Sequence, residues 1–316
     1  MIGFIIRRLL QAVPLIIGVS LIAFALMHLA PGGPLAVYTL NPTIQAQDIE
    51  RIKIIFGLDQ PLHVQYVKWA AGMFSGNWGN SFFGGRPVLD IILERFPATL
   101  ILMGSALSVA IILGLGVGIL GAVKRYSIFD TLATSGALVA LSFPTFWFGL
   151  MAIFIFALNL RWLPSGGMYE FGEEGNILSL LRHLVLPTMV LALVITATWS
   201  RYTRSAFLEV MNQDFMRTAR AKGEPQSARL FRHAFPNAAK PLIALLGVEL
   251  PFLFSGALVT ETIFGWPGMG RLFVDSLNMK EYPILMGLMM FTALFVILGN
   301  LVADIAIAAM DPRVRL

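Results

Sequence analysis

Residues 98–123 read Ala98-Thr-Leu-Ile-Leu-Met-Gly-Ser-Ala-Leu-Ser-Val-Ala-Ile-Ile-Leu-Gly-Leu-Gly-Val-Gly-Ile-Leu-Gly-Ala-Val123, without a single charged side chain. At about 1.5 Å of rise per residue, ~20 apolar helical residues cross the roughly 30 Å hydrocarbon core of a bilayer. The stretch therefore reads as a membrane-spanning helix. Within it Gly116-Val-Gly-Ile-Leu-Gly121 satisfies G-x-G-x-x-G. A dinucleotide site needs a preceding strand and a βαβ context, and neither surrounds an apolar helix. Gly114, Gly118 and Gly121 fall on one helical face, so they are expected to let a second helix approach closely.

Five more runs share this character: 9–29, 132–158, 184–200, 241–262 and 284–303, of which 184–200 is the shortest. The expected fold is an all-α polytopic membrane protein with six transmembrane helices in a single domain spanning 1–316. Composition agrees, since 57% of the 316 residues are hydrophobic and 13% charged, against about 25% charged in soluble domains. That excess excludes a soluble enzyme and a disordered chain. Cysteine is absent, which excludes disulfides, thiolate metal sites and cysteine nucleophiles. The first run follows Arg7 and Arg8 but is too long for a signal-peptide core, so it reads as a retained anchor.

The net charge of +5 acquires meaning from its placement. With both termini inside, fourteen Lys and Arg fall in cytoplasmic segments and nine in the longer outer ones, eight of the fourteen between Arg201 and Lys240. This is the positive-inside pattern of a cytoplasmic-membrane protein, and it removes a nucleic-acid partner. The outer loop 30–97 should carry helices of its own, at Ile49–Phe56 and Val64–Phe74. The cytoplasmic loop 201–240 is the most informative. In Asp214-Phe-Met-Arg-Thr-Ala-Arg-Ala-Lys-Gly223, Asp214 is expected as N-cap. Phe215, Met216 and Ala219 form an apolar stripe. Arg217, Arg220 and Lys222 lie off it, the last two where the helix dipole favours cations. Gly223 suits a left-handed C-terminal position, and Pro225 blocks continuation. So short a helix needs a surface to pack on: lipid head groups, or a groove on a cytoplasmic partner.

The segment from Arg217 to Gly223, followed by His233-Ala-Phe-Pro236, resembles the EAA loop of bacterial ABC-importer permeases. Ala219, Gly223 and Pro236 keep its register. Arg217 and Thr218 replace the family's Glu and Ala, and His233 and Phe235 its Ile and Leu. The form Arg-Thr-Ala-Arg-Ala-Lys-Gly is similar to the dipeptide/oligopeptide/nickel branch. So are Ile5-Ile-Arg-Arg-Leu-Leu10, Ala30-Pro-Gly-Gly-Pro34, Phe56-Gly-Leu-Asp-Gln-Pro61, Arg95-Phe-Pro-Ala-Thr-Leu100, Thr260-Glu-Thr-Ile-Phe264, Trp266-Pro-Gly-Met-Gly270 and Asp311-Pro-Arg313. The resemblance implies the type I importer fold and peptide import by alternating access; nickel chelates and glutathione are alternative cargoes. It implies a second homologous permease, two cytoplasmic ATP-binding subunits and an extracytoplasmic solute-binding protein. ATP and Mg would be bound by the ATPase subunits, since this chain has no G-x-x-x-x-G-K-[ST] of its own. Asp214 through Gly223 would be the coupling helix, with Arg217, Arg220 and Lys222 on acidic groups of the ATPase and Phe215, Met216 and Ala219 filling its groove.

Ionisable groups inside spans are costly and mark interior or water-facing positions. Glu249, near the middle of the fifth run, either lines the translocation path or hydrogen-bonds to a neighbouring span. Pro251 and Gly256 nearby suggest an irregular helix there. Glu261 and Trp266, at the outer end of that run, are candidates for an outer gate or a binding-protein contact; the alternative is a connecting turn. The histidines at 28, 63, 183 and 233 lack metal-ligand spacing, so no metal site is expected. An intramembrane hydrolase would need a nucleophile–base pair or two facing carboxylates, and no such arrangement stands out; no catalytic residue is assigned.

Overall fold

The computed structural model describes residues 2–35, 45–55 and 57–310, and their side chains except at 2–5, 46, 52, 55, 247, 248, 250–256 and 306–310. Phe56 and the Asp311-Pro-Arg313 motif lie outside the described residues. The helices of eight or more residues are, among the described residues, α1 (Ile2–Leu29), α2 (Ala46–Ile55), α3 (Leu62–Phe74), α4 (Val88–Val123), α5 (Ile128–Ser142), α6 (Thr145–Ala152), α7 (Ile177–Met211), α8 (Asp214–Ala221), α9 (Phe235–Ile263), α10 (Met269–Met279) and α11 (Tyr282–Met310). There is no strand among the described residues, only an isolated bridge between Asn80 and Pro87.

Among the described residues, four helices contain a stretch long and apolar enough to cross a bilayer: 6–29, 88–123, 177–211 and 282–305. The run 241–262 lies in α9, where several side chains are undescribed. The run 132–158, read as one helix, is broken. α5 and α6, the latter continued by a π-helical turn Ile153–Asn159, meet at 100°. The reason is Pro144, which disfavours the helical region for the residue before it; Phe143 is extended at φ −98°, ψ 142°. Around Glu249 the expected irregularity is not seen, because α9 continues through Pro251 as one helix.

The chain divides into two compact units, residues 1–98 with 268–298, and residues 99–267 with 299–316. In the first, Val88, Ile92, Met269, Ile284 and Leu288 form a buried cluster edged by Trp78, Phe96 and Phe291. Gly287 is required there, since a Cβ would stand 2.5 Å from Val88 Cγ1. A second cluster joins Ala23 and Phe24 of α1 to Met286, with Tyr66 and Trp69 of α3 against it. In the second unit α7 packs against α4, α5, α6 and α9. The glycine face of α4 meets it directly: a Cβ on Gly114 would lie 2.5 Å from Trp199 Cβ, and one on Gly118 2.5 Å from Thr203 Cβ. This is the close helix approach expected of those glycines.

Candidate functional site

Helix α8 forms as expected, with one change at its start. The N-cap is Gln213, extended at φ −78°, ψ 157°, not Asp214. The Gln213 carbonyl already accepts from the amides of Met216 and Arg217 at 3.1 and 3.4 Å. That places Asp214 inside the first turn, where its carboxylate still complements the helix dipole and accepts from Arg217 Nη1 at 3.3 Å. At the other end Gly223 adopts φ +75°. Its amide donates to Arg220 O at 3.0 Å and that of Glu224 to Ala219 O at 3.2 Å, a complete Schellman closure. Glu224 then accepts from His233 Nε2 at 2.7 Å, tying the residues after α8 to the π-helical turn Arg229–Ala234 that leads into α9.

The apolar stripe divides in a way that corrects the groove-filling expectation. Met216 and Ala219 are buried within the chain itself. Met216 belongs to a cluster with Phe207 and Val210 of α7, Ala122 of α4, and Ala234 and Ala238. Those two side chains anchor α8 and are not available to a partner. Phe215, Arg217, Thr218, Arg220, Ala221 and Lys222 remain exposed. The result is a two-turn helix with a closed C-terminal end, seated on α7 by one face and presenting a basic face with one aromatic ring.

A half-buried ion pair nearby is not legible in the sequence. Arg204 of α7 donates through Nε and Nη2 to the two carboxylate oxygens of Asp130, at 2.6 and 2.8 Å. Asp130 also accepts from the Tyr126 amide at 2.9 Å, and its own amide donates to Ser127 Oγ at 3.2 Å. A Cβ on Gly121 would stand 3.3 Å from Asp130 Oδ1. The signal was the Ser127-x-x-Asp130 capping pattern; nothing in it names Arg204, far along the chain. The pair ties α5 to α7 where α7 leads to α8.

The remaining candidates separate. Glu261 is fully buried and accepts from Thr99 Oγ1 at 2.7 Å, while its carbonyl accepts from the Trp266 amide at 2.8 Å. Trp266 is fully buried too. Neither presents a surface to a separate protein, which corrects the binding-protein contact. Together they close the tight turn after α9, and Gly167 N donates to Phe264 O in the same turn at 2.7 Å. Glu249 is partly exposed on α9, apart from α8 and from this turn; its flanking side chains lie outside the described residues.

The profile of the family described as binding-protein-dependent transport system inner membrane component matches residues 110–316, and that of the family's N-terminal region matches residues 1–103. The chain belongs to this family. It is 41% identical over 316 residues to the oligopeptide transport system permease protein AppB of Bacillus subtilis (strain 168), spanning 100% of both chains. It is 36% identical over 315 residues to the glutathione transport system permease protein GsiC of Escherichia coli (strain K12), spanning 100% of this chain and 99% of that one. Its fold is similar to a chain of the methionine ABC transporter MetNI in an inward-facing conformation, with TM-score 0.58 at 15% identity over 70% of this chain and 96% of that one. The helical fold is thus that of a type I ABC importer permease. As a permease subunit, the chain works with an ATPase carried on separate subunits and with a substrate-binding protein. The junction between the two family profiles falls close to the 98/99 boundary between the compact units.

Proposed function

We propose that this permease is one half of the membrane path of a peptide importer, paired with a second homologous permease. Two ATP-binding subunits would bind ATP and Mg at its cytoplasmic face, and a solute-binding protein would deliver peptide to the opposite face. Both termini lie in the cytoplasm in this reading, as the Lys and Arg distribution favours, and all six apolar runs cross the membrane. Peptide as cargo is supported by the relatives, one named for oligopeptides and one for glutathione, itself a peptide. In the same reading Glu249 lines the path, and the turn holding Glu261 and Trp266 belongs to the outer gate.

The observation that carries the proposal is α8. A helix closed at its C-terminal end and anchored through Met216 and Ala219 moves as a body with α7. Its exposed Phe215, Arg217, Arg220 and Lys222 suit an acidic groove on an ATPase subunit. Closure of that groove would bias the spans between two pre-existing arrangements, opening the path to one side at a time. The test is the double substitution Arg217→Glu with Arg220→Glu in the full complex reconstituted in vesicles. ATP-driven peptide uptake is expected to fall by roughly tenfold or more, because two charge-assisted contacts become repulsive. Unchanged uptake and unchanged retention of the ATPase subunits would remove α8 from the coupling role. If the wild-type complex takes up no peptide of any length, the cargo assignment fails while the coupling assignment stands.

A further inference from the structure

The second unit contains a cavity of about 470 Å³ that the transport reading does not use. Arg161, Trp162, Glu170, Glu173, Arg182 and His183 line it. Its walls are held in place: the Glu170 amide donates to the buried Ser179 Oγ at 2.8 Å, and the loop before it hydrogen-bonds to Phe264 O through Gly167. Neither Arg161 nor Arg182 has an ion-pair partner among the described residues. Arg161 adopts φ +53°, unusual for a non-glycine residue and a form of strain that clusters at functional positions. Asn176 Oδ1 already caps the first amides of α7, so the anion donors facing the cavity are the two guanidinium groups.

The opposite charge is present beside them. His183 is buried and donates through Nδ1 to Ser179 O at 2.9 Å, which leaves Nε2 as an acceptor 4.0 Å from Glu170 Oε2. Glu170 and Glu173 supply acceptors of their own. The cavity therefore offers two donors for an anion and three acceptors for a cation that carries N–H groups. One aromatic ring lines it, too few for the cage that a quaternary ammonium needs.

Depth decides which dipolar ligand fits. Arg161 lies just beyond Leu158, where one apolar run ends, and Arg182 just before Leu184, where the next begins. With both runs crossing the bilayer, as in the transport reading above, both sit at the level of lipid head groups, where long basic side chains and Trp collect. Trp162 and Leu178, which line the cavity, are 69% and 62% exposed, and apolar surface of that kind suits acyl chains.

We propose that this cavity holds the head group of an aminophospholipid, with the phosphate on Arg161 and Arg182 and the primary ammonium shared by Glu170, Glu173 and His183 Nε2. The site stands independently of the peptide assignment, since it needs only a chain embedded in a bilayer.

The test uses the complete importer complex, delipidated and exchanged into nanodiscs holding equal amounts of phosphatidylethanolamine, phosphatidylcholine and phosphatidylglycerol. Lipid retained after re-extraction is quantified by mass spectrometry. Phosphatidylethanolamine should be enriched over both others. Arg161→Ala with Arg182→Ala should cut the amount of phosphatidylethanolamine retained by roughly tenfold, the scale of charge-assisted hydrogen bonds to phosphate. Glu170→Gln with Glu173→Gln should remove the preference for phosphatidylethanolamine over phosphatidylglycerol while phosphate-dependent retention persists. All four side chains are exposed, and an unchanged unfolding temperature shows that the variants fold. Equal retention of the three lipids, preference for phosphatidylglycerol, retention that is unchanged by the double arginine substitution, or displacement of the lipid by added peptide would each overturn the proposal.

Discussion

Helices α8 and α10 end with the same backbone device and hold it by opposite means. After α8, the amides of Gly223 and Glu224 donate to Arg220 O and Ala219 O; after α10, those of Lys280 and Glu281 donate to Leu277 O and Ser276 O. Each pair closes the Schellman pattern, and in each a glutamate follows the left-handed residue. At α8 that residue is glycine at φ +75°, for which the conformation is free of steric strain. At α10 it is Lys280 at φ +59°, where an L side chain costs about 1–2 kcal/mol. Glu224 meets one partly exposed histidine. Glu281 is buried and takes three hydrogen bonds, from Ser81 Oγ at 2.7 Å and from the amides of Phe82 and Phe83 at 2.9 Å. The lesson is that a strained turn persists where a buried carboxylate over-determines it, whereas an exposed turn relies on the residue type that suits it.

Three substitutions probe this contrast. Glu281→Leu should be the most damaging, because it removes the three hydrogen bonds that the buried carboxylate accepts, and bonds to a charged group are worth about 1.5–3 kcal/mol each. We expect a marked fall in apparent unfolding temperature in a single detergent, together with protease cleavage within 79–87. A variant that unfolds like the parent would show that the carboxylate does not hold that loop. Gly223→Val should cost less, about 1–2 kcal/mol: nothing lies within 4 Å of the position, so the strain is confined to the backbone. A loss comparable with that of Glu281→Leu would mean that α8 is held by its cap and not by Met216 and Ala219. Lys280→Gly should have the smallest effect, a gain of about 0.5 kcal/mol, since relief of left-handed strain exceeds the extra entropy of an unfolded glycine. Destabilisation there would show that the lysine side chain makes a contribution of its own.

Local features of the sequence carried much of this. The glycine face of α4 was legible because three small residues at helical spacing have one economical use inside a membrane, and Trp199 and Thr203 occupy that face. The end of α8 was legible because Gly223 and Pro225 act within the span of one turn. Its start was displaced by one residue, since a carbonyl can take the first helical bonds from any residue type, and Gln213 does so without a side-chain cap. The break at Phe143 had a visible cause in Pro144, yet apolar continuity across 132–158 outweighed it in the reading; hydropathy measures how long a run is and says nothing of its direction. The burial of Glu261 and the Asp130–Arg204 pair were not legible, because each joins residues far apart in the chain.

Membrane residence, helical class, the permease family and the position of α8 follow from the order of residues alone, because each rests on composition, periodicity or contiguous motifs. Which face of α8 is anchored depended on the packing of Met216 against Phe207 and Val210, since an apolar stripe on a short helix does not say on which side its partner lies. The same holds for Arg161, Glu170 and His183. Separate in the chain, they become one dipolar cavity only when the loop before α7 folds back along that helix.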